Sequence, residues 1–286
     1  MFLVIVLCGV SSLVSCMVVL VVGFDPGLKS YGYAVVCRRF DVVLRFCDLL
    51  CRRGVSPVLV CRIGGFGVVA GALEVSNYVD PRDFVVEFLL RFRDYVSRGS
   101  DVVPHYRYCG FNWLIPHSLL HDLGIYVVSP SRLNRVIRCA LSTWFRKYKY
   151  CLRCVLGHLF WSLSRLYHFY RSRDVVEIVV ASESIKYVYA GGEELYTRYV
   201  WRSVARIATA MFRYCVAGFS RTVILDNRTV MRLVKRCPLC LTRLRRKRAR
   251  YLSCPRCGVM LHRDVVDAVN YGVYVARMLC DERSER

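Results

Sequence analysis

Long apolar runs, separated by short polar turns, set the pattern of the chain. Val18–Phe24 carries no polar side chain, which is typical of a strand buried on both faces. Asp25-Pro26-Gly27 follows as a turn signal, and Tyr31–Val36 is again mostly apolar. The pattern therefore predicts a β-hairpin whose first strand ends at Asp25.

Further along the chain, strand-like and helix-like runs alternate, which predicts an α/β fold with a mixed sheet flanked by helices. The predicted strands are Asp41–Phe46, Pro57–Ile63, Val68–Val75, Ile125–Val128, Val175–Val180 and Thr222–Asp226. The predicted helices are Arg82–Ser97, Leu119–Leu123, Ser131–Arg173, Glu193–Ala217 and Val265–Met278. A second acid, Glu183, follows closely after one of the apolar strands.

The first 24 residues contain no charge. By length they match a membrane span, but they lack the basic start of a signal peptide. We interpret Val18–Phe24 as a core strand and residues 1–17 as an apolar extension, with translation starting at Met17 as an alternative. A membrane anchor is the less favoured interpretation, and no membrane partner is expected.

Four cysteines near the C-terminus have the spacing of a zinc ribbon. Cys237 and Cys240 form one Cys-x-x-Cys pair, and Cys254 and Cys257 form a second pair thirteen residues later. Two such pairs can place four thiolates tetrahedrally around one zinc ion. The chain holds 16 cysteines in total, and metal-ligand spacing in a chain of this size indicates a reducing, cytoplasmic location.

The charge of the chain favours a nucleic-acid partner. There are 43 Lys and Arg against 21 Asp and Glu, a formal net charge of +22. Between Asn227 and Arg263 there is no acid and twelve residues are basic, which is typical of a surface that contacts phosphates. The candidate contact residues are Arg243, Arg245, Arg246, Lys247, Arg248 and Arg250. DNA is the expected partner, RNA is the second candidate, and the absence of Walker A and GxGxxG motifs argues against a small-molecule cofactor.

Four carboxylates are candidates for a second metal site. Asp25 and Glu183 lie at the ends of predicted core strands, and Asp264 and Asp267 lie one turn apart at the start of the last helix. If the strands are neighbours, a helix packed across their ends brings these acids together. Oxygen ligands favour Mg²⁺ or Mn²⁺, and two such ions support phosphodiester hydrolysis.

Several motifs resemble those of TnpB transposon-associated proteins, whose nuclease domain is of the RuvC type with an RNase H-like fold. Asp25-Pro-Gly-Leu-Lys-Ser-Tyr-Gly-Tyr-Ala-Val is similar to the first RuvC motif, and Glu183-Ser-Ile-Lys resembles the second. The four-cysteine ribbon followed by Arg263-Asp264 is similar to the family's C-terminal region. The resemblance covers about residues 18–40 and 131–279, and it implies that Asp25, Glu183 and Asp264 are the catalytic acids.

The last motif departs from the family pattern. Where the family has Asp-Arg-Asp-x-Asn-Ala-Ala-x-Asn, this chain has His262 in place of the first acid, and Val266 and Asp267 also differ. Leu241 replaces the glycine that usually follows the first cysteine pair. Asp264-x-x-Asp267 also resembles the end of Holliday-junction RuvC enzymes, which implies Asp267 as a fourth ligand.

Together these features predict a RuvC-type core over residues 18–236, with 41–125 as an insertion or variable region. A zinc ribbon (237–258), a final helix (259–279) and a charged tail (280–286) follow. The expected function is a TnpB-like, Mg²⁺-dependent DNA endonuclease linked to transposition. The alternatives are a RuvC-type junction resolvase and a catalytically inactive remnant that binds DNA or RNA.

Overall fold

The computed structural model of the chain describes residues 18–26, 30–75, 78–107, 117–171, 176–183, 220–248 and 250–284, and positions 203, 206, 207 and 210. The expected extension 1–17 and most of the predicted helix Glu193–Ala217 lie outside this part. The chain forms two compact units, one drawn from residues 1–75, 153–188 and 205–286 and the other from 76–152 and 189–204.

The regular elements are numbered in chain order. The strands are β1 (Val18–Pro26), β2 (Ser30–Cys37), β3 (Leu59–Ile63), β4 (Phe66–Glu74), β5 (Val103–Pro104), β6 (Val127–Val128), β7 (Val176–Glu183), β8 (Ser220–Leu225), β9 (Arg245–Arg248), β10 (Tyr251–Ser253) and β11 (Met260–His262). The helices are α1 (Phe40–Cys51), α2 (Pro81–Arg91), α3 (Arg93–Val96), α4 (His117–Asp122), α5 (Pro130–Arg171), α6 (Asn227–Leu233) and α7 (Arg263–Ser284).

The first unit is built on a six-stranded mixed sheet in the order β3-β4-β2-β1-β7-β8. β1 pairs antiparallel with β2 and parallel with β7, and β7 pairs parallel with β8. The predicted hairpin and the predicted mixed α/β sheet with flanking helices are therefore confirmed. The arrangement fits a RuvC-type, RNase H-like fold.

The prediction of a strand at Asp41–Phe46 was wrong, because this segment lies within helix α1. The buried residues of α1 are Val42, Val43, Phe46 and Leu50, which form one helical stripe, whereas Leu44 and Arg45 between them are exposed. The apolar period here is that of a helix. The stripe packs on β2 and β4, and Tyr170 in the C-terminal part of α5 donates a hydrogen bond to Asp41 at 3.4 Å.

The stretch 41–125, expected to be an insertion or variable region, contributes to both units. β3 and β4 lie within it and extend the sheet beyond β2. The two strands therefore extend the six-stranded sheet of the first unit, and residues 76–125 belong to the second unit.

Within the second unit, α2 begins at Pro81, and the Asp80 side chain accepts a hydrogen bond from the Arg82 amide, as in a standard N-cap. The basic helix α5 supplies aromatic residues to this unit. The Trp144 indole donates a hydrogen bond to the Val79 carbonyl at 2.9 Å, and its ring stacks on Tyr148. Both aromatic rings are buried, so they belong to the core of this unit.

None of the helices in the described part of the chain is long and apolar enough to cross a membrane. The apolar run from Val18 to Phe24 forms strand β1. This outcome confirms the interpretation of that run as a core strand.

Helix α7 packs across the sheet face opposite α1, against β1, β2, β4 and β7. Its backbone comes close enough to the sheet that only glycine fits at two strand positions. A Cβ atom on Gly23 would overlap the Ala268 carbonyl and lie 2.8 Å from the Gly272 nitrogen. A Cβ atom on Gly32 would overlap the Asp264 carbonyl, so the first turn of α7 rests directly on β2.

We predict that Gly32→Ala lowers the free energy of unfolding by at least about 2 kcal/mol, because overpacking forces backbone atoms apart. Gly157→Ala is the matched control, since Gly157 lies within α5 and has no atom within 4 Å of an added Cβ. That substitution should raise stability by about 0.5–1 kcal/mol through helix propensity. Urea unfolding measures the free energy of unfolding of both variants. Equal changes in the two variants would contradict the close approach of α7 to Gly32.

Candidate functional site

Asp25 and Asp264 are brought together by the close packing of α7 on the sheet. Asp25 pairs with Gly32 across the β1–β2 hairpin, and the Asp264 backbone lies directly over Gly32. Directly opposed residues of an antiparallel pair project to the same face. The half-buried Asp25 and the buried Asp264 therefore share the α7 side of the sheet, at the carboxyl end of β1.

Glu183 reaches the same end of the sheet by its backbone position. Phe24 pairs with Ser182 across the parallel β1–β7 ladder, and Asp25 and Glu183 are the next residues along each strand. Glu183 is also the last residue of β7 and pairs with Leu225 at the end of β8. The acids predicted from separate parts of the sequence thus lie at the carboxyl ends of neighbouring parallel strands.

The Asp264 carboxylate is held in a defined orientation. Its Oδ2 accepts a hydrogen bond from the Ser30 hydroxyl, and its Oδ1 accepts one from Nε of Arg263 at 3.2 Å. The Ser30 hydroxyl in turn accepts a hydrogen bond from the Arg250 guanidinium at 3.0 Å. Two guanidinium groups therefore compensate the charge of a carboxylate that is only 5% exposed.

His262 lies immediately beside this carboxylate. Its Nδ1 is 4.0 Å from Asp264 Oδ2, and its ring packs edge-on against Tyr251 with centroids 5.5 Å apart. Burial lowers the pKa of His262, and the neighbouring Asp264 carboxylate opposes that effect only in part. The imidazole is therefore neutral at pH 7.

Asp267 makes contacts that fix α7 to the chain before the ribbon. Its Oδ1 accepts a hydrogen bond from the Lys235 amide at 3.0 Å. On the next turn, the Asn270 side-chain amide donates to the carbonyls of Leu233 and Arg236, both at 2.9 Å. Burial, with a further contribution from the Asp264 charge, raises the pKa of Asp267 to about 6. These contacts give Asp267 a structural role, and its role as a fourth ligand stays a prediction.

The four cysteines expected to bind zinc form one cluster. The Sγ atoms of Cys237, Cys240, Cys254 and Cys257 all lie within 4.8 Å of one another, and thiolates around one zinc ion lie about 3.8 Å apart. The same backbone pattern repeats in both pairs: the Leu241 amide donates to the Cys237 carbonyl, and the Gly258 amide donates to the Cys254 carbonyl. The cluster can therefore hold one metal ion.

Leu241 and Gly258 occupy equivalent positions in the two cysteine turns. Both have a positive φ, 59° for Leu241 and 71° for Gly258. Glycine adopts this conformation without strain, whereas the Cβ atom of leucine lies too close to the following carbonyl oxygen. Leucine, in place of the glycine of the TnpB-like pattern that the sequence resembles, therefore places backbone strain in the first turn.

The ribbon sheet β11-β10-β9 carries most of the predicted phosphate-contacting residues. Arg245–Arg248 forms β9, and all four of its side chains are exposed, as is that of Arg243. Arg250 differs, because it is half-buried and bonds to Ser30 beside Asp264. One residue assigned to nucleic-acid contact thus also belongs to the acid site.

Ser30 and His262 were missed as site residues by the reasoning from sequence. The signal for Ser30 was its place at the start of the return strand, five residues after Asp25. For His262, the sequence showed only the loss of an acid, and its buried position beside Asp264 depends on how β11 leads into α7.

Two solved structures are distantly similar to the chain. One is the cryo-EM structure of CasPhi-2 (Cas12j) bound to crRNA and phosphorothioate-DNA, with a TM-score of 0.35 and 11% identity. The other is the mini-RNA-guided endonuclease CRISPR-Cas_phi3, with a TM-score of 0.36 and 11% identity. Each alignment covers 91% of this chain and 45% of the solved chain, so the chain spans less than half the length of either protein.

No protein-family model matches the chain, and no curated protein matches its sequence. The structural likeness is too distant to transfer an activity. The function is therefore inferred from the geometry of this chain's own residues.

We predict that Leu241→Gly stabilises the metal-loaded ribbon by about 1 kcal/mol, because it removes the strain of a positive φ. Apparent zinc affinity, measured by competition with a chromophoric chelator, should rise about fivefold. Leu239→Gly is the control, since Leu239 lies in the same turn and is 45% exposed. Tighter zinc binding in both variants, or in neither, would contradict the conclusion that the positive φ of Leu241 strains the turn.

A second prediction concerns the dependence of stability on pH. Between the ordinary value of 3.8 and about 6, folded Asp267 keeps a proton that the unfolded chain has released. Stability therefore falls as pH rises across this window and is level above it. Asp267→Asn retains an acceptor for the Lys235 amide and removes the titration.

The unfolding free energy of Asp267→Asn relative to wild type should thus rise by roughly 2–3 kcal/mol from pH 4 to pH 7. Denaturant titration at several pH values measures it. The exposed Asp281 on the same helix provides the control variant Asp281→Asn for a general loss of negative charge. If the unfolding free energy of Asp267→Asn relative to wild type stays constant with pH, the Asp267 carboxylate is already ionised at pH 4.

Proposed function

We propose that the chain is a metal-dependent nuclease of the RuvC type, related to TnpB transposon-associated proteins, that hydrolyses phosphodiester bonds in DNA. The observation that carries this proposal is the placement of Asp264 over Gly32, the strand partner of Asp25. Asp25 and Asp264 come from opposite ends of the chain and lie on the same face of the sheet, and the last residue of β7, at the carboxyl end of the neighbouring strand, is a third acid.

The donor set at this edge fits divalent cations. Asp25 and Asp264, with Glu183 as the third acid, offer the carboxylate oxygens that Mg²⁺ and Mn²⁺ prefer. When bound, two such ions supply an activated water and stabilise the leaving oxygen. The protein's own contribution is to fix the carboxylates, and the hydrogen bonds from Ser30 and Arg263 do this for Asp264.

The ribbon contributes to the proposed function in two ways. We assign its four cysteines to one structural zinc ion, since Cys₄ clusters at this spacing favour zinc. Its strand β9 presents exposed basic side chains, which suit the phosphate backbone of DNA, with RNA as the second candidate. The ribbon connects directly to α7 through β11. Strand β9, which would contact the nucleic acid, is therefore close in sequence to Asp264.

We predict that Asp25→Asn and Asp264→Asn each lower the DNA cleavage rate at least about 100-fold, because each removes a ligand charge. DNA affinity should be unchanged or slightly higher, since an acidic group facing phosphates is lost. The measurements are single-turnover cleavage of linear duplex, single-stranded and four-way-junction DNA with Mg²⁺ or Mn²⁺, and binding by fluorescence anisotropy. Asp48→Asn is the control, because Asp48 is an exposed acid paired with Arg52.

Unchanged cleavage in both site variants would overturn the proposal. Salt-sensitive binding without cleavage of any substrate by wild-type protein would favour the nucleic-acid-binding remnant. Preference for the four-way junction would assign the activity to a resolvase.

A further inference from the structure

Helix α5 carries a row of basic side chains along its exposed face within the second unit. This basic stripe consists of four exposed residues: Arg135, Arg138, Arg146 and Lys149. At 3.6 residues per turn, these positions lie within about 80° of one another around the helix axis. The opposite side of the same segment holds its buried residues, which include Leu133, Ile137, Leu141, Trp144 and Tyr148.

The positive charge of the basic stripe is not neutralised by neighbouring acids. Helix α5 contains no Asp or Glu from Pro130 to Arg171. In the described part of the chain, no ion pair involves any of the four residues of the stripe, and Arg135 donates a hydrogen bond to a hydroxyl, that of Tyr95, at 3.2 Å. Like charges on neighbouring turns of a helix repel one another. The stripe therefore indicates an anionic partner.

The basic stripe is divided into two pairs. Arg135 and Arg138 lie three residues apart, as do Arg146 and Lys149, and the exposed Ser142 lies between the two pairs. Because an α-helix rises 1.5 Å per residue, Arg138 and Arg146 are about 12 Å apart along the axis. The major groove of B-form DNA is also about 12 Å wide. A helix laid across this groove places one basic pair on the backbone of each strand.

Two features favour duplex DNA over other nucleic acids. The major groove of A-form RNA is narrow, so the gap between the two pairs does not match it. Single strands are commonly held by exposed aromatic side chains that stack on successive bases. In residues 130–152, all of which the structure describes, Trp144 and Tyr148 are buried and Tyr150 is the one largely exposed aromatic residue. The stripe therefore suits phosphates better than bases.

Helix α5 is fixed within the second unit by contacts that do not involve the stripe. The Trp144 indole, on the buried side, donates to the Val79 carbonyl at 2.9 Å. At the start of the helix, the Asp101 carboxylate accepts hydrogen bonds from the hydroxyls of Ser129 and Ser131. The basic side chains thus project from a backbone that is already ordered, which lowers the entropic cost of binding.

We propose that the basic stripe of α5 is a second DNA-contacting surface, which lies across the major groove of duplex DNA and binds the backbones of both strands. Arg and Lys contacts to phosphates position a protein on DNA without reading sequence, so binding by the stripe is independent of sequence. The inference rests on the proposed function only in taking DNA as the partner. It does not depend on the acid site, and it adds a contact in the second unit to that of strand β9.

The test measures DNA binding by the full-length, zinc-loaded protein without divalent cations, so that cleavage does not enter the measurement. Fluorescence anisotropy at several KCl concentrations gives the affinity for a short DNA duplex, a DNA single strand and an RNA duplex of the same sequence. Arg146→Gln/Lys149→Gln removes one basic pair. The control Arg91→Gln/Lys147→Gln removes the same charge from exposed residues of the second unit outside the stripe. Zinc content and thermal unfolding check that each variant is folded.

For the stripe variant, we expect the affinity for duplex DNA to fall at least about tenfold, and the slope of log affinity against log salt to decrease by about 2. The control variant should lose less than half as much affinity, and the stripe variant should lose less affinity for the single strand and the RNA duplex than for duplex DNA.

Equal losses in the two variants would reduce the stripe to a general effect of charge and overturn the inference. An equal or larger loss on the single strand or the RNA duplex would overturn the contact across the major groove. In either case, cleavage that depends on Asp25 leaves the proposed nuclease standing. If the wild-type protein binds no DNA, both the inference and the proposed function fail.

Discussion

The direct contact between the backbone of α7 and the glycines of β1 and β2 is the constraint on which the site depends. Gly23 and Gly32 have no Cβ, so α7 lies on the sheet at backbone distance, with Ala268 and Asp264 above them. Because Gly32 is the strand partner of Asp25, this packing also sets the spacing of the two acids. A larger residue at either position would lift the helix and separate them.

Helix α7 contacts the ribbon through residues next to Asp264, and it therefore connects the ribbon with the site of the acids. Val266 packs into the ribbon core with Cys237 and Cys254, and Asp267 on the same turn bonds to the Lys235 amide, two residues before the first cysteine. A metal ion in the cysteine cluster would therefore stabilise the start of α7 as well as the ribbon. This link gives a structural reason for Val266 and Asp267, two residues that differ from the TnpB-like motif that the sequence resembles.

The local sequence pattern predicts the structure correctly where it agrees with the tertiary environment, and it misleads where the two differ. The apolar run of β1, the hairpin signal around Asp25 and the cysteine spacing were each sufficient for a correct prediction of a strand, an antiparallel pairing and a cysteine cluster. The segment Asp41–Phe46 was assigned to a strand because its valines favour strands, but burial of one helical stripe on β2 and β4 prevailed. The strands β3 and β4 were predicted from their local pattern, but nothing local indicated that they extend the sheet beyond β2.

The sequence by itself determined the α/β class, the four-cysteine ribbon and the identity of the candidate acids, since each depends on residue types at short spacing. Only the tertiary structure decided which side chains meet Asp264. Ser30 bonds to it, Arg250 bonds to Ser30, and His262 lies beside it. These three residues come from different strands or connections, and contacts between distant segments depend on register and helix placement. Such contacts leave no periodic trace in the chain, because long-range packing is a property of the whole fold.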